Sequence, residues 1–211
     1  MPAVHLSGEY NITYVQIPKT AGTSVGLWLK DYKGNSTYTE WYNHPLKNDI
    51  NKKLEKNFSF SIVRNPWSRM ISLYFFLKNW KSPDPDISAE DSEDSRKILY
   101  FINEYDNEKF PNFDTWIKNS KQFKTLPWIW WDLETPQTAW TKDVDLVIKY
   151  ENLEEVFKTI QDVFNCYNPL PVKTVTKGIY WNNYQESYTN ETKQIVANLF
   201  EEEIDLWKYT F

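Results

Sequence analysis

The stretch ITYVQIPKTAGTSVGLWLKDY, residues 12–32, changes character without a gap. Residues 12–17 are rich in β-branched and aromatic side chains and read as a strand, SVGLWLKDY can form a helix, and only PKTAG and its neighbours lie between. The same order recurs. FSFSIV (58–63) runs into NPWSRMISLYFFLKNW, where Asn65 can cap and Pro66 suits the first helical position because its missing N–H has no partner there. VDLVIKY (144–150) is followed by Leu153, Val156, Phe157, Ile160, Val163 and Phe164 at helical spacing, with Asn152 and Glu155 as a cap pair. A last helix is expected to carry Val196, Leu199, Phe200, Ile204 and Trp207 on one face. Strand, loop and helix in repetition predict an α/β domain with a mainly parallel central sheet flanked by helices. At 211 residues the chain is expected to form one domain, 1–211.

Composition removes several functions. Hydrophobic residues at 41% and aromatics at 18% exclude a disordered chain, and no apolar run approaches the roughly 20 residues of a membrane span. A net charge of −5 argues against a general nucleic-acid surface, so any anion site must be local. The opening MPAVHLSGEY has neither a basic start nor an apolar stretch, and the single cysteine, Cys166, cannot form an internal disulfide. Both point to a cytoplasmic protein, in which the acceptor-like triplets at Asn11, Asn35, Asn57 and Asn190 are chance matches. SPDPDISAEDSEDS (82–95) reads as an exposed acidic loop.

The first loop carries the chemistry. A strand ending in Pro18-Lys19-Thr20-Ala21-Gly22-Thr23-Ser24 and entering a helix aims backbone N–H groups at one point, which favours an anion. Lys19 adds a charge, Gly22 lets backbone approach, and the hydroxyls of Thr20, Thr23 and Ser24 can bond phosphoryl or sulfuryl oxygens. A triphosphatase loop would end in Gly-Lys-Ser/Thr, whereas here the lysine comes first. Arg64 closes the second strand, and Ser72 lies seven residues after Asn65, close to two helical turns, on the face where that helix begins. Two anion sites at two strand ends suit a ligand with two separated phosphates. Taken singly, the loop is equally an ordinary β–α turn with a capping hydroxyl, Arg64 a surface ion-pair partner and Ser72 a small packing residue.

Together these segments resemble a known family. IPKTAGTS is similar to the 5′-phosphosulfate loop of sulfotransferases, and SIVRNPWSRMISLY to their 3′-phosphate segment. The likeness is greatest to the carbohydrate type, which includes heparan sulfate 2-O-sulfotransferase and bacterial and viral relatives. PQTAWTKDVDLVIKYENLEEVF and the closing segment from YWNNYQESY onward resemble later parts of that group. The resemblance implies a three-layer, P-loop-like fold and a metal-free transfer from 3′-phosphoadenosine-5′-phosphosulfate (PAPS) to an acceptor hydroxyl, with adenosine 3′,5′-bisphosphate (PAP) as product. Lys19, Thr20, Ala21, Gly22, Thr23, Ser24, Arg64 and Ser72 would hold the donor. Lys19 would also neutralise charge on the bridging oxygen as the sulfuryl group leaves. Lys177, with Gly178, precedes the tail segment that in the family closes over the nucleotide.

Transfer also needs a base. His44, in WYNHPLKNDI, resembles the family histidine that precedes the 3′-phosphate segment, and a group that titrates near neutrality suits proton transfer. Its competing reading is a loop histidine that caps a helix starting near Leu46. Glu40 is the reserve base, and His5 reads as incidental. For the acceptor, PWIWWDLETPQTAW (127–140) combines Trp128, Trp130, Trp131 and Trp140 with Asp132, Glu134 and Gln137, a set that either binds a glycan or forms core. The lysines of KNDINKKLEK and KNSKQFK either attract an anionic glycan or line solvated helix faces. Rival functions are a P-loop kinase of unusual pattern and an inactive nucleotide- or glycan-binding module.

Overall fold

The computed structural model describes residues 3–7, 12–32, 37–41, 58–78, 112–119, 136–163, 165, 167–171 and 181–211. Along the chain these form β1 (Ala3–Ser7), β2 (Ile12–Gln16), α1 (Gly22–Tyr32), β3 (Thr37–Trp41), β4 (Phe58–Val63), α2 (Pro66–Lys78), α3 (Phe113–Lys118), α4 (Gln137–Thr141), β5 (Leu146–Lys149), α5 (Leu153–Val163), α6 (Asn190–Leu199) and α7 (Glu201–Trp207). Short 3-10 turns occupy Tyr150–Asn152 and Trp181–Ser187. The described elements group into two compact units, one of residues 1–65, 130–175 and 202–210, the other of 66–129, 176–201 and Phe211.

The first unit holds a five-stranded sheet of order β3-β1-β2-β4-β5. β2, β4 and β5 are parallel, in register Val15↔Ser61 and Val63↔Lys149, while β1 is antiparallel to both β2 and β3. The parallel core and its helices are the α/β arrangement that the strand-loop-helix repeats predict. The sequence pattern did not reveal β1 and β3.

Side-chain alternation along each strand divides the sheet into two faces. On one, Tyr14, Phe60, Ile62 and Ile148 pack with Val25, Trp28 and Leu29 of α1 and with Leu153, Phe157 and Ile160 of α5. The other brings Val15, Ile17 and Val63 against Trp140 of α4, with Val147 and Trp207 at its margin. The result is three layers. Each fully buried Ile or Phe in them contributes roughly 1.5–3 kcal/mol of apolar transfer. Strand β4 shows why the sequence reads as it does: Phe60 and Ile62 fill the face covered by α1 and α5, while Ser59 and Ser61 satisfy their hydroxyls on Asp145 and the Val15 carbonyl.

The second unit is helical. Its aromatic cluster gathers Tyr74 of α2, Phe113 and Trp116 of α3, and Tyr188, with ring centroids 4.8–5.6 Å apart for Tyr74–Phe113, Tyr74–Trp116 and Phe113–Tyr188. Trp67 donates its indole N–H to the Lys193 carbonyl at 3.0 Å, and its own carbonyl accepts the Tyr188 hydroxyl at 2.8 Å. Phe211 packs edge-on against Trp67 and Tyr188. Thr189 and Thr192 cap α6 reciprocally, each side chain accepting from the other's backbone N–H. The expected single last helix is broken: Phe200 leaves helical geometry at φ −124°, ψ 29°, separating α6 from α7. Val196 and Phe200 are buried as expected, but Leu199 is exposed.

Candidate active site

Parallel pairing puts the carboxyl ends of β2, β4 and β5 side by side on one edge, where open α/β sheets bind ligands. β2 delivers residues 18–24 there, β4 delivers Arg64, and β5 delivers Tyr150.

The loop after β2 is unusual in its backbone. Lys19 and Ala21 both adopt left-handed conformations, φ 68° and 71°, which cost free energy in any residue with a Cβ. Thr20 between them is fully buried, and its hydroxyl donates to the Ile17 carbonyl at 2.8 Å. The Thr20 proton is therefore used inside the loop, where it holds the turn. The Ala21 carbonyl accepts the Val25 N–H at 3.1 Å and so starts α1, leaving the N–H groups of Gly22, Thr23 and Ser24 in the first turn without intrahelical acceptors. Thr23 is exposed and Ser24 half-buried. The bare Cα of Gly22 leaves room for the Gln16 side chain, which a Cβ there would force to move.

Lys19 is pulled into the sheet edge. Burial, and secondarily the Arg64 charge, lowers its pKa from 10.5 to about 8. Arg64 in turn donates from Nη1 to the Lys19 carbonyl at 3.2 Å, and its guanidinium lies 4.4 Å from the centroid of the Tyr150 ring. Two cations held beside one another repel, a cost that a bound polyanion would offset.

Behind Arg64 lies a buried polar network. The β4–β5 ladder ends at Val63↔Lys149, one residue short of Arg64. Gln137 takes over there: its Oε1 accepts the Arg64 N–H and its Nε2 donates to the Arg64 carbonyl, both at 2.9 Å. The second Nε2 proton goes to Glu203 Oε2, and the Gln137 backbone N–H goes to Glu203 Oε1. Gln137 and Glu203 are both fully buried. Next along the chain, Asn65 donates its backbone N–H to Glu151 and its Nδ2 to the Thr210 carbonyl, both at 2.8 Å. Lys149 Nζ donates to the Trp207 carbonyl and lies over the Tyr209 ring. Burial, reinforced by Glu151, pushes the Tyr209 phenol well above its usual range.

The sequence-predicted residues divide accordingly. Lys19 and Arg64, with Thr20, Ala21, Gly22, Thr23 and Ser24, share one sheet edge. Ser72 is buried on α2, in the second unit. Glu40 stands on β3 opposite Val4, and His5 on β1 opposite Tyr14. His44, Lys177, Gly178, Cys166, the 82–95 loop, KNDINKKLEK, KNSKQFK beyond Asn119, Trp128, Trp130, Trp131, Asp132 and Glu134 lie outside the described residues. Lys118, the first lysine of KNSKQFK, ends α3 and pairs with Asp114 at 2.9 Å and Glu191 at 2.7 Å, so it belongs to an ion-paired helix face. Gln137 is corrected: its amide binds Arg64 and Glu203, so it has no donor left for an acceptor sugar. Trp140 is core. Sequence reading missed Tyr150 and Glu203. Tyr150 had a signal, since it directly follows a parallel strand; Glu203, in the acidic run EEEID, had none.

A parallel sheet with helices on its faces, a cationic loop entering a helix at one strand end and a braced arginine at the next give an α/β protein of P-loop-like architecture. Within that class the chain belongs to the sulfotransferase family, whose sequence model matches residues 3–210. No curated protein and no solved structure matches the chain. Among the described residues, no helix is long and apolar enough to cross a membrane.

Proposed function

We propose that the chain transfers a sulfuryl group from PAPS to an acceptor hydroxyl of a carbohydrate, with residues 1–211 acting as one catalytic domain. The observation that carries this reading is the pairing of Lys19 and Arg64 at adjacent strand ends, beside the first turn of α1. The donor would supply an activated sulfuryl group. The N–H groups of Gly22, Thr23 and Ser24 and the Lys19 ammonium suit its 5′-phosphosulfate. Arg64 suits the 3′-phosphate, with Ser72 and Lys177 completing the donor site as the family resemblance implies. An anion beside Lys19 favours its ammonium form, whose charge then neutralises the bridging oxygen as the old S–O bond breaks. His44 takes the acceptor proton while the new S–O bond forms; Glu40 is the alternative base.

Calorimetry with PAP and with ATP–magnesium, followed by turnover of labelled PAPS on oligosaccharide, phenol and tyrosine-peptide acceptors, tests the reading. PAP binding and transfer to an oligosaccharide are expected. A preference for ATP–magnesium would indicate a kinase, and PAP binding without transfer to any acceptor an inactive module. His44→Ala should keep PAP binding and lower turnover by about 10²–10⁴. A variant that keeps more than about a tenth of wild-type turnover would assign the base to Glu40 or another group.

A further inference from the structure

Arg64 stands one residue beyond the end of its ladder with β5, and a side chain there replaces the neighbouring strand. The primary amide of Gln137 accepts from the Arg64 N–H and donates to the Arg64 carbonyl, the pattern a β-strand neighbour would supply. An amide can do this only in one orientation. Were it flipped, NH₂ would face N–H and oxygen would face oxygen.

Glu203 fixes that orientation. Its carboxylate accepts from the remaining Nε2 proton and from the Gln137 backbone N–H, so both oxygens hold the same residue. Gln137 begins α4, whose N-cap residue, Pro136, makes no side-chain capping bond, so Glu203 also satisfies a donor that the helix leaves open. The carboxylate, the amide and the Arg64 backbone thus form one chain of bonds inside the first unit. The guanidinium they carry is seated on Tyr150 and the Lys19 carbonyl.

We propose that Glu203, acting through Gln137, is a positioning residue that sets the aim of Arg64 and hence the preference for a nucleotide carrying a second phosphate. This rests on the donor reading above. An isosteric Glu203→Gln exposes the role, because its NH₂ meets a donor on Gln137. One amide must turn away, and any swing of Gln137 costs Arg64 its backbone partner.

The test measures Kd for PAP and for adenosine 5′-phosphate by calorimetry on wild type, Glu203→Gln, Arg64→Ala and the double variant. Their folding is checked by circular dichroism. Wild type should prefer PAP, and Glu203→Gln should reduce that preference about tenfold, the scale of coupling within one hydrogen-bond network. In the Arg64→Ala background the same change should move the preference by less than about twofold, since no guanidinium remains to be aimed. Equal weakening of both nucleotides, an unchanged preference, or the same drop without Arg64 would each overturn the proposal. A wild type without preference for PAP fails the donor reading and takes this inference with it. A preference removed by Arg64→Ala but not by Glu203→Gln sinks the positioning role alone. Should Glu203→Gln not fold, Glu203→Asp, which keeps the charge but withdraws it by one methylene, is read by the same criteria.

Discussion

The two cations at the sheet edge are held in opposite ways. Lys19 is held mainly by its own neighbours in sequence: a left-handed backbone, the Thr20 hydroxyl on Ile17, and α1 beginning at Gly22, with one remote bond, from Arg64 Nη1, on its carbonyl. Arg64 is held by residues remote in sequence, Gln137 at 73 positions and Glu203 a further 66 beyond it, with Tyr150 under the guanidinium. The lysine is strained and desolvated, whereas the arginine is braced and stacked. A group that must respond to charge developing during a reaction suits the first arrangement; one that must recognise a fixed phosphate suits the second.

The largest effect expected from this contrast is on rate. Lys19→Ala should lower the turnover number for labelled PAPS by about 10²–10³ while changing PAP affinity much less, since charge grows on the bridging oxygen only as the bond breaks. Weakened binding with unchanged turnover would make Lys19 another recognition group, and the contrast would collapse.

Arg64→Ala should have the complementary signature. PAP should weaken more than adenosine 5′-phosphate, by roughly tenfold to 150-fold for a charged hydrogen bond of about 1.5–3 kcal/mol. Calorimetry on both nucleotides decides it, and equal losses would remove the 3′-phosphate assignment.

The same contrast explains what could be read from the sequence. Lys19 was legible because the turn that carries it lies within IPKTAGTS, though the Arg64 bond to its carbonyl was not, and β2, β4 and β5 were legible because each apolar run meets a helix directly. Arg64 was legible as a strand-end residue, but its bracing was not. Gln137 looked like a polar residue among tryptophans, and Glu203 like part of a solvated acidic run; only tertiary burial distinguishes them. The left-handed positions were hidden because neither Lys19 nor Ala21 is the glycine that usually marks such geometry. β1 and β3 are five residues each and pair antiparallel with one another, outside the strand-loop-helix repeat that carried the reading. The break at Phe200 leaves apolar spacing almost unchanged, so periodicity runs through it.

The smallest expected effect concerns the free energy stored at Lys19. Its pKa is lowered to about 8 in the fold against 10.5 for an ordinary lysine, so between these pH values the unfolded chain binds more protons than the folded one. The charged lysine therefore destabilises the ligand-free protein fully below about pH 8, and the burden fades as pH rises toward 10.5. Lys19→Met keeps the stem and the same left-handed backbone cost but removes the charge. Without nucleotide at pH 7, the variant should melt higher than wild type, by on the order of a few degrees at most. The difference should shrink as the buffer is raised through pH 8 to 10.5, and other titrating groups cancel because both proteins carry them. Saturating PAP should narrow the difference at pH 7, by as much as the charged lysine adds to PAP affinity. A Lys19→Met protein that melts lower than wild type without nucleotide at pH 7 would show that the lysine is braced as Arg64 is, and would break the comparison at its strained side.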